Sequence, residues 1–360
     1  MTLNQKIGQL CMFGFDGPAP PPFLRGLVRE WGLGGVILFG SNLKSPPQIL
    51  ELTRALQALT AGPPLFIGVD QEGGRVSRLK PPFTQFPPAA RLGALGSEEI
   101  ARTVGGVMGK ELRAVGINVD FAPVLDVHTN PDNPVIGDRA FAADPDVVAR
   151  MGIAFFQGLQ AEGVLATGKH FPGHGDTSTD SHLELPVVHH AMDRLEQVEL
   201  YPFRRAIDAG LPILMTAHVL CPALDPGVPA TLSPRILTEL LRHEMDFEGI
   251  IVSDDLSMAA IAGHWSLEEA ACRFIEAGGD LVLLGEDAGA QQAILQALLH
   301  AVQSKRIPEA QLEASLDRIL KAKKKLSAFG QPVEGEEALG LIGRPEHLEL
   351  ARSLQRHVAG

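Results

Sequence analysis

Short apolar runs punctuate the chain: Cys11–Phe15, Gly35–Phe39, Leu65–Val69, Asn118–Phe121, Val164–Thr167, Ile213–Thr216, Ile250–Val252 and Leu281–Leu284. Each gives way to polar or glycine-rich residues and then to a helical pattern. Helical stretches are predicted over Pro47–Leu59, Pro145–Glu162, Arg194–Ala209, Ser233–Asp246 and Leu267–Ala277. Strands alternating with helices predict a parallel sheet. Eight of them predict an α/β chain closed into a (β/α)8 TIM-type barrel. An open doubly wound sheet is the alternative, weakened because no GxGxxG follows an early strand. No low-complexity linker divides the chain, and Pro81, Pro82, Pro87 and Pro88 mark a loop. Residues 1–360 are therefore expected to form one barrel domain, with a helical extension from about 308. Pro308 to Phe329 reads as one long helix. Its basic run Lys321–Lys325 is expected to be a solvated face near a helix C-terminus, where cations suit the dipole.

Composition narrows the class. The 360 residues suit a barrel, which takes ~250 residues plus insertions. No run approaches the ~20 apolar residues of a membrane span, and Met1-Thr2-Leu3-Asn4-Gln5-Lys6 does not resemble an export signal. Cys11, Cys221 and Cys272 show no CxxC spacing, which argues against a disulfide framework or zinc–thiolate site and predicts buried, reduced thiols. Together these features predict a cytoplasmic protein with no membrane association. A formal net charge of −12 opposes a nucleic-acid partner, which needs a basic surface.

In a barrel of this type chemistry sits at the C-terminal strand ends. Those ends read Asp70-Gln71-Glu72-Gly73-Gly74-Arg75 after the third strand and Pro123-Val124-Leu125-Asp126 after the fourth. Lys169-His170 closes the fifth, Ala217-His218 the sixth, Ser253-Asp254-Asp255 the seventh and Gly285-Glu286-Asp287 the eighth. A carboxylate after a strand often caps the next helix, and that role suits Asp255, Glu286 and Asp287. For Asp126, a buried ion pair with an arginine weighs equally with a functional role. For Asp70 and Asp254, the apolar run leading straight into the acid favours function.

The segment Lys169–His182 carries His170, His174 and His182 with Asp176 and Asp180 on a Gly/Ser/Thr-rich loop. Such a loop is expected to be mobile and poor at building a core, which favours chemical roles for its imidazoles. Two remain open: a metal site built from His170, His174, His182 and an aspartate, or acid–base work by one histidine held by a carboxylate. The Asp180-x-His182 spacing lets those two side chains meet, and a carboxylate raises an imidazole's pKa and fixes its tautomer.

At these residues the chain resembles glycoside hydrolase family 3, and within it the NagZ-type bacterial β-N-acetylglucosaminidases. The matching motifs, in the family's order, are Gly68–Arg78, Asn118–Asp126, Gly137–Phe141, Lys169–His182, Met215–His218 and Ser253–Met258. The resemblance implies a retaining exo-β-N-acetylglucosaminidase that removes terminal N-acetylglucosamine from peptidoglycan fragments such as GlcNAc-1,6-anhydro-MurNAc peptides. It implies Asp254 as nucleophile and His182 as general acid/base with Asp180 as its partner. Asp70, Arg78, Arg139, Lys169 and His170 would hold the terminal sugar, and Met215 would line the same pocket. The partner is then a small carbohydrate, with no cofactor and no metal.

Three competing functions follow. A β-glucosidase of the same family differs by an acetamido pocket that no motif spells out. A metal-dependent hydrolase would use His170, His174 and His182, although ligands on one glycine-rich loop make a poorly preorganised site. A non-catalytic sugar-binding barrel would have no chemical need for Asp254, His182 and Asp180 together.

Overall fold

The computed structural model describes residues 1–178, 184–329 and 335–356. Eight strands build the core: β1 (Cys11–Phe13), β2 (Gly35–Ile37), β3 (Phe66–Val69), β4 (Val119–Asp120), β5 (Leu165–Phe171), β6 (Ile213–Thr216), β7 (Ile250–Val252) and β8 (Val282–Leu284). They pair in parallel in chain order, with β8 returning to β1 through Cys11 opposite Val282. The ring closes between β7 and β8 through a parallel bridge of Val252 with Leu281, where the Ser253 amide donates to the Leu281 carbonyl at 3.1 Å. The architecture is the (β/α)8 barrel the pattern predicts. Helices cover the strands outside and side chains fill the ring inside, so each strand is buried on both faces and most read as apolar runs.

The elements depart from expectation in three informative places. The pattern over Arg194–Ala209 forms two helices, Met192–Gln197 and Tyr201–Asp208. Pro202, without an amide hydrogen, suits the first turn of a new helix and not the interior of a long one. The fifth strand runs further than predicted, to Phe171, so Lys169 and His170 lie within it. Finally, Gln71–Gly73 pairs antiparallel with Val76–Ser77 in a small hairpin above β3. Its turn needs positive φ at Gly73 (96°) and Gly74 (57°), and a Cβ on Gly73 would sit 2.6 Å from the Pro87 carbonyl oxygen.

The predicted C-terminal helix spans Glu309–Ala328, with Leu312, Leu316 and Ile319 buried against the barrel. Its basic run is not simply a solvated face. Lys321 is exposed and pairs with Asp317. Lys323 is buried: its ammonium nitrogen lies 2.7 Å from Gln9 Oε1 and 4.8 Å from the Phe66 ring centre, at the N-terminal end of the barrel. The helix docks along this side, so two residues of one run face opposite environments. Beyond it, Pro345–Arg356 docks through His347, whose Nδ1 lies 2.9 Å from the buried Glu111 carboxylate. Cys11, Cys221 and Cys272 are free and buried, as expected. Among the described residues, no helix is long and apolar enough to cross a membrane.

Candidate active site

At the C-terminal end of the strands lies a cavity of about 820 Å³. Asp70, Arg78, Arg139, Lys169, His170, Met215 and Asp254 all line it, although they come from widely separated parts of the chain. Parallel strands bring these residues together because each points its C-terminal end at the same rim.

One wall is an ionic cluster. Lys169, in β5, places its ammonium 2.7 Å from Asp70 Oδ1 and 2.6 Å from Glu72 Oε1. Arg139 grips Glu72 with both forks, Nη2 to Oε1 at 2.8 Å and Nε to Oε2 at 2.9 Å. Burial works against every charge here, but the partners outweigh it: Lys169 and Arg139 are held above their ordinary values and Glu72 is held well below. Lys169, Arg139 and Glu72 are therefore charged throughout the neutral range. Arg78 stands further out, 3.9 Å from Asp70, and among the described residues its buried Nε has no hydrogen-bond partner. Glu72 was not among the expected site residues. Its place in the hairpin, two residues past Asp70, is the signal that could have exposed it.

A second layer orients His170. Its Nδ1 lies 2.7 Å from Asp126 Oδ2, and its amide donates to Oδ1 of the same carboxylate at 3.2 Å. A carboxylate held ionised only accepts, so Nδ1 carries the proton and Nε2 is turned toward Arg139 Nη2, 3.5 Å away. Burial would push the Asp126 carboxyl up, but His170 beside it brings it below the ordinary range. Asp126 thus pairs with a histidine and not with the arginine that was one of its expected roles.

His174 donates its amide to Asp126 at 2.7 Å, and its Nδ1 meets Thr177 Oγ1 at 2.7 Å. Burial pushes its imidazole down to about 4, so it is neutral at pH 7. The stretch from His174 to Thr177 is also held from outside. Asn133 donates to the His174 carbonyl at 2.8 Å, Asn130 to the Thr177 carbonyl at 3.1 Å, and Thr129 to Asp176 at 2.7 Å. This part of the glycine-rich segment is therefore packed, contrary to the mobility its composition predicts. Side chains from 129–133 satisfy the polar groups that such a loop would otherwise leave to water. Asp180 and His182 lie outside the described residues.

Asp254 follows β7 and accepts the Asp255 amide on Oδ1 at 2.8 Å. Burial opposes its ionisation, but His218, His170, that amide and Lys169 together hold the carboxyl below its ordinary value. Met215, in β6, is buried and presents an apolar edge to the same cavity. Of the presumed helix caps, Asp287 accepts the Ala290 amide at 3.0 Å as expected, whereas Asp255 ties the turn at Ser257 and Gly285.

A closed parallel barrel whose carboxylates and cations converge on one rim cavity defines a barrel of the enzyme type. The family model described as Glycosyl hydrolase family 3 N terminal domain matches residues 2–322. The chain belongs to glycoside hydrolase family 3. It is 38% identical over 396 residues to β-hexosaminidase A of Pseudoalteromonas piscicida, covering 98% of this chain and 66% of that protein. It therefore spans just under two thirds of that relative's length. A family 3 β-N-acetylglucosaminidase from Paenibacillus sp. superposes with a TM-score of 0.95 at 43% identity, over 98% of this chain and 68% of that one. NagZ from Neisseria gonorrhoeae, solved in complex with N-trifluoroacetyl-D-glucosamine, gives 0.80 at 32% identity over 96% of each chain.

Proposed function

We propose that this protein is a retaining exo-β-N-acetylglucosaminidase that releases terminal N-acetylglucosamine from peptidoglycan fragments. The observation that carries the reading is Asp254: a carboxylate held below its ordinary value on the wall of a cavity that Asp70, Lys169 and Arg139 also line, the two cations paired with buried Glu72. Such fixed, charged hydrogen-bonding groups match the hydroxyls of one sugar ring. Relatives named for hexosaminidase activity, and a neighbour holding an N-acylated glucosamine analogue, support the acetamido preference. Buried free thiols support a cytoplasmic setting.

In the first step Asp254 attacks the anomeric carbon. The glycosidic bond breaks, and His182, biased toward its protonated form by Asp180, gives its proton to the leaving oxygen. In the second step neutral His182 takes a proton from water, which attacks the same carbon and returns Asp254 as a carboxylate. One imidazole serves both steps, as microscopic reversibility requires. No cofactor or metal enters.

Treatment with a slow 2-fluoro glycosyl donor, followed by peptide mapping, tests the reading. Labelling of Asp254 is expected. A label elsewhere, or no covalent adduct, overturns the nucleophile. Comparing N-acetylglucosaminide with glucoside substrates then separates this function from a β-glucosidase. His182→Ala should slow poor leaving groups far more than acidic ones, and equal losses across leaving groups refute its role.

A further inference from the structure

His218 ends the sixth-strand motif and is 1% exposed, yet the reaction above makes no use of it. Both its ring nitrogens are engaged. Nε2 lies 3.0 Å from the Asp255 backbone oxygen and Nδ1 2.8 Å from Thr231 Oγ1. A carbonyl oxygen only accepts, so Nε2 carries a proton. The Thr231 hydroxyl also reaches the Ala217 carbonyl at 2.9 Å. It can donate there or to Nδ1, so the Nε2–H bond to Asp255 survives in either protonation state of the ring.

The residue gripped in this way is the one that holds Asp254. The Asp255 amide donates to Asp254 Oδ1 at 2.8 Å. The Asp255 side chain is fixed as well: its Oδ1 accepts from the Ser257 amide at 2.9 Å and the Ser257 hydroxyl at 2.7 Å. Asp255 is therefore clamped at its carbonyl by His218, just past β6, and at its side chain by its own turn, with its amide on one oxygen of Asp254. With Oδ1 engaged, Oδ2 is the oxygen left to form the bond to carbon.

We propose that His218 is a positioning residue for the nucleophile: by holding the Asp255 carbonyl it sets the angle at which the Asp255 amide meets Asp254 and so aims Oδ2 at the anomeric carbon. The inference rests on the proposed role of Asp254. Among the described residues, the titratable groups facing Asp254 are His218 just past β6, Lys169 and His170 from β5, His174 just beyond it, and Asp255 from its own turn. Burial holds the His218 imidazole below its ordinary value, so it is neutral at pH 7 and acts on Asp254 through the Asp255 amide, one of the groups that keep the carboxyl low. Loss of His218 therefore moves the acid limb of the rate profile to higher pH.

The test compares His218→Phe, which fills the space without a donor, with His218→Gln, whose amide can still reach the Asp255 carbonyl. His218→Phe is expected to lower kcat on the order of 10²-fold, the usual effect of a small misplacement at a reacting centre. KM should change little because the sugar cluster is untouched. The acid limb of kcat/KM should move up, inactivation by the 2-fluoro donor should slow in parallel with kcat, and His218→Gln should recover much of the loss. A wild-type acid limb and kcat in His218→Phe overturn the proposal, as does a loss confined to thermal stability. If His218→Phe does not fold, Thr231→Val, which removes the Nδ1 partner, should move the acid limb in the same direction by less, and an unmoved limb there overturns the proposal. Labelling of wild-type protein at a residue other than Asp254 would instead defeat the reading on which it rests.

Discussion

Lys169 and Lys323 are equally hidden, each 2% exposed, and stand at opposite ends of the barrel. Lys169 touches two carboxylates, and they hold its ammonium above the ordinary value against the pull of burial. Lys323 meets one amide oxygen and one ring face, and burial pushes it down to about 7. Gln9, its acceptor, is itself fixed by donating to the Gly32 carbonyl at 2.6 Å. A buried charge persists where the fold surrounds it with opposite charge, and loses its proton readily where the fold offers only dipoles. The rim of this barrel is built around charges that a ligand can use. Its base is built around packing, as the division of labour in such barrels requires.

The sharpest way to break the comparison is Lys169→Met. It leaves buried Glu72 and half-buried Asp70 with Arg139 and Arg78 as their remaining counter-ions. Expected losses are on the order of 10³-fold in kcat/KM, as read from mutant kinetics, and about 3–5 kcal/mol in denaturant unfolding, the range for breaking a buried ion pair. Near-wild-type values in both would show that the ionic cluster is incidental. Glu72→Gln is the milder probe, keeping the shape and removing the charge. Roughly a tenfold fall in kcat/KM, carried mainly by KM, is expected because Arg139 and Lys169 lose the group that aligns them. An unchanged KM would remove Glu72 from the site.

Lys323→Met tests the other end and has the smallest expected effect on activity, which should be none. Its signature is in stability. The unfolded chain keeps the Lys323 proton up to ~10.4, whereas the folded chain releases it near 7. Between those values the unfolded state binds more protons, so wild-type stability rises with pH, by at most about 1.4 kcal/mol per pH unit. The Met variant lacks that slope. Its advantage over wild type should be widest below pH 7 and narrow as pH rises. Parallel urea-unfolding stabilities for the two proteins from pH 6 to 9 would mean that Lys323 titrates normally.

Most of the barrel was legible because its strands are buried on both faces. Ile213–Met215 and Ile250–Val252 are apolar throughout, and the chain returns to a helical pattern after each strand. The site was legible in its residue types, since Asp70, Lys169, His170 and Asp254 stand where strands end. Their partners were not. Whether Asp126 meets an arginine or His170 depends on how β4 and β5 lie side by side, and nothing local to Asp126 encodes that. The helix break at Val198–Leu200 was masked by a periodic pattern on both sides, with Pro202 its only local sign.

The order of residues alone determined the barrel, the end of it that carries chemistry and the residues that gather there, because burial on two faces and the polar residues at strand ends are written locally. Only the tertiary structure decided which carboxylate neutralises which cation, that His174 is packed inside, and that Lys323 faces Phe66 while Lys321 faces water. Those outcomes depend on contacts between residues far apart in the chain, whose energies exist only once the ring has closed.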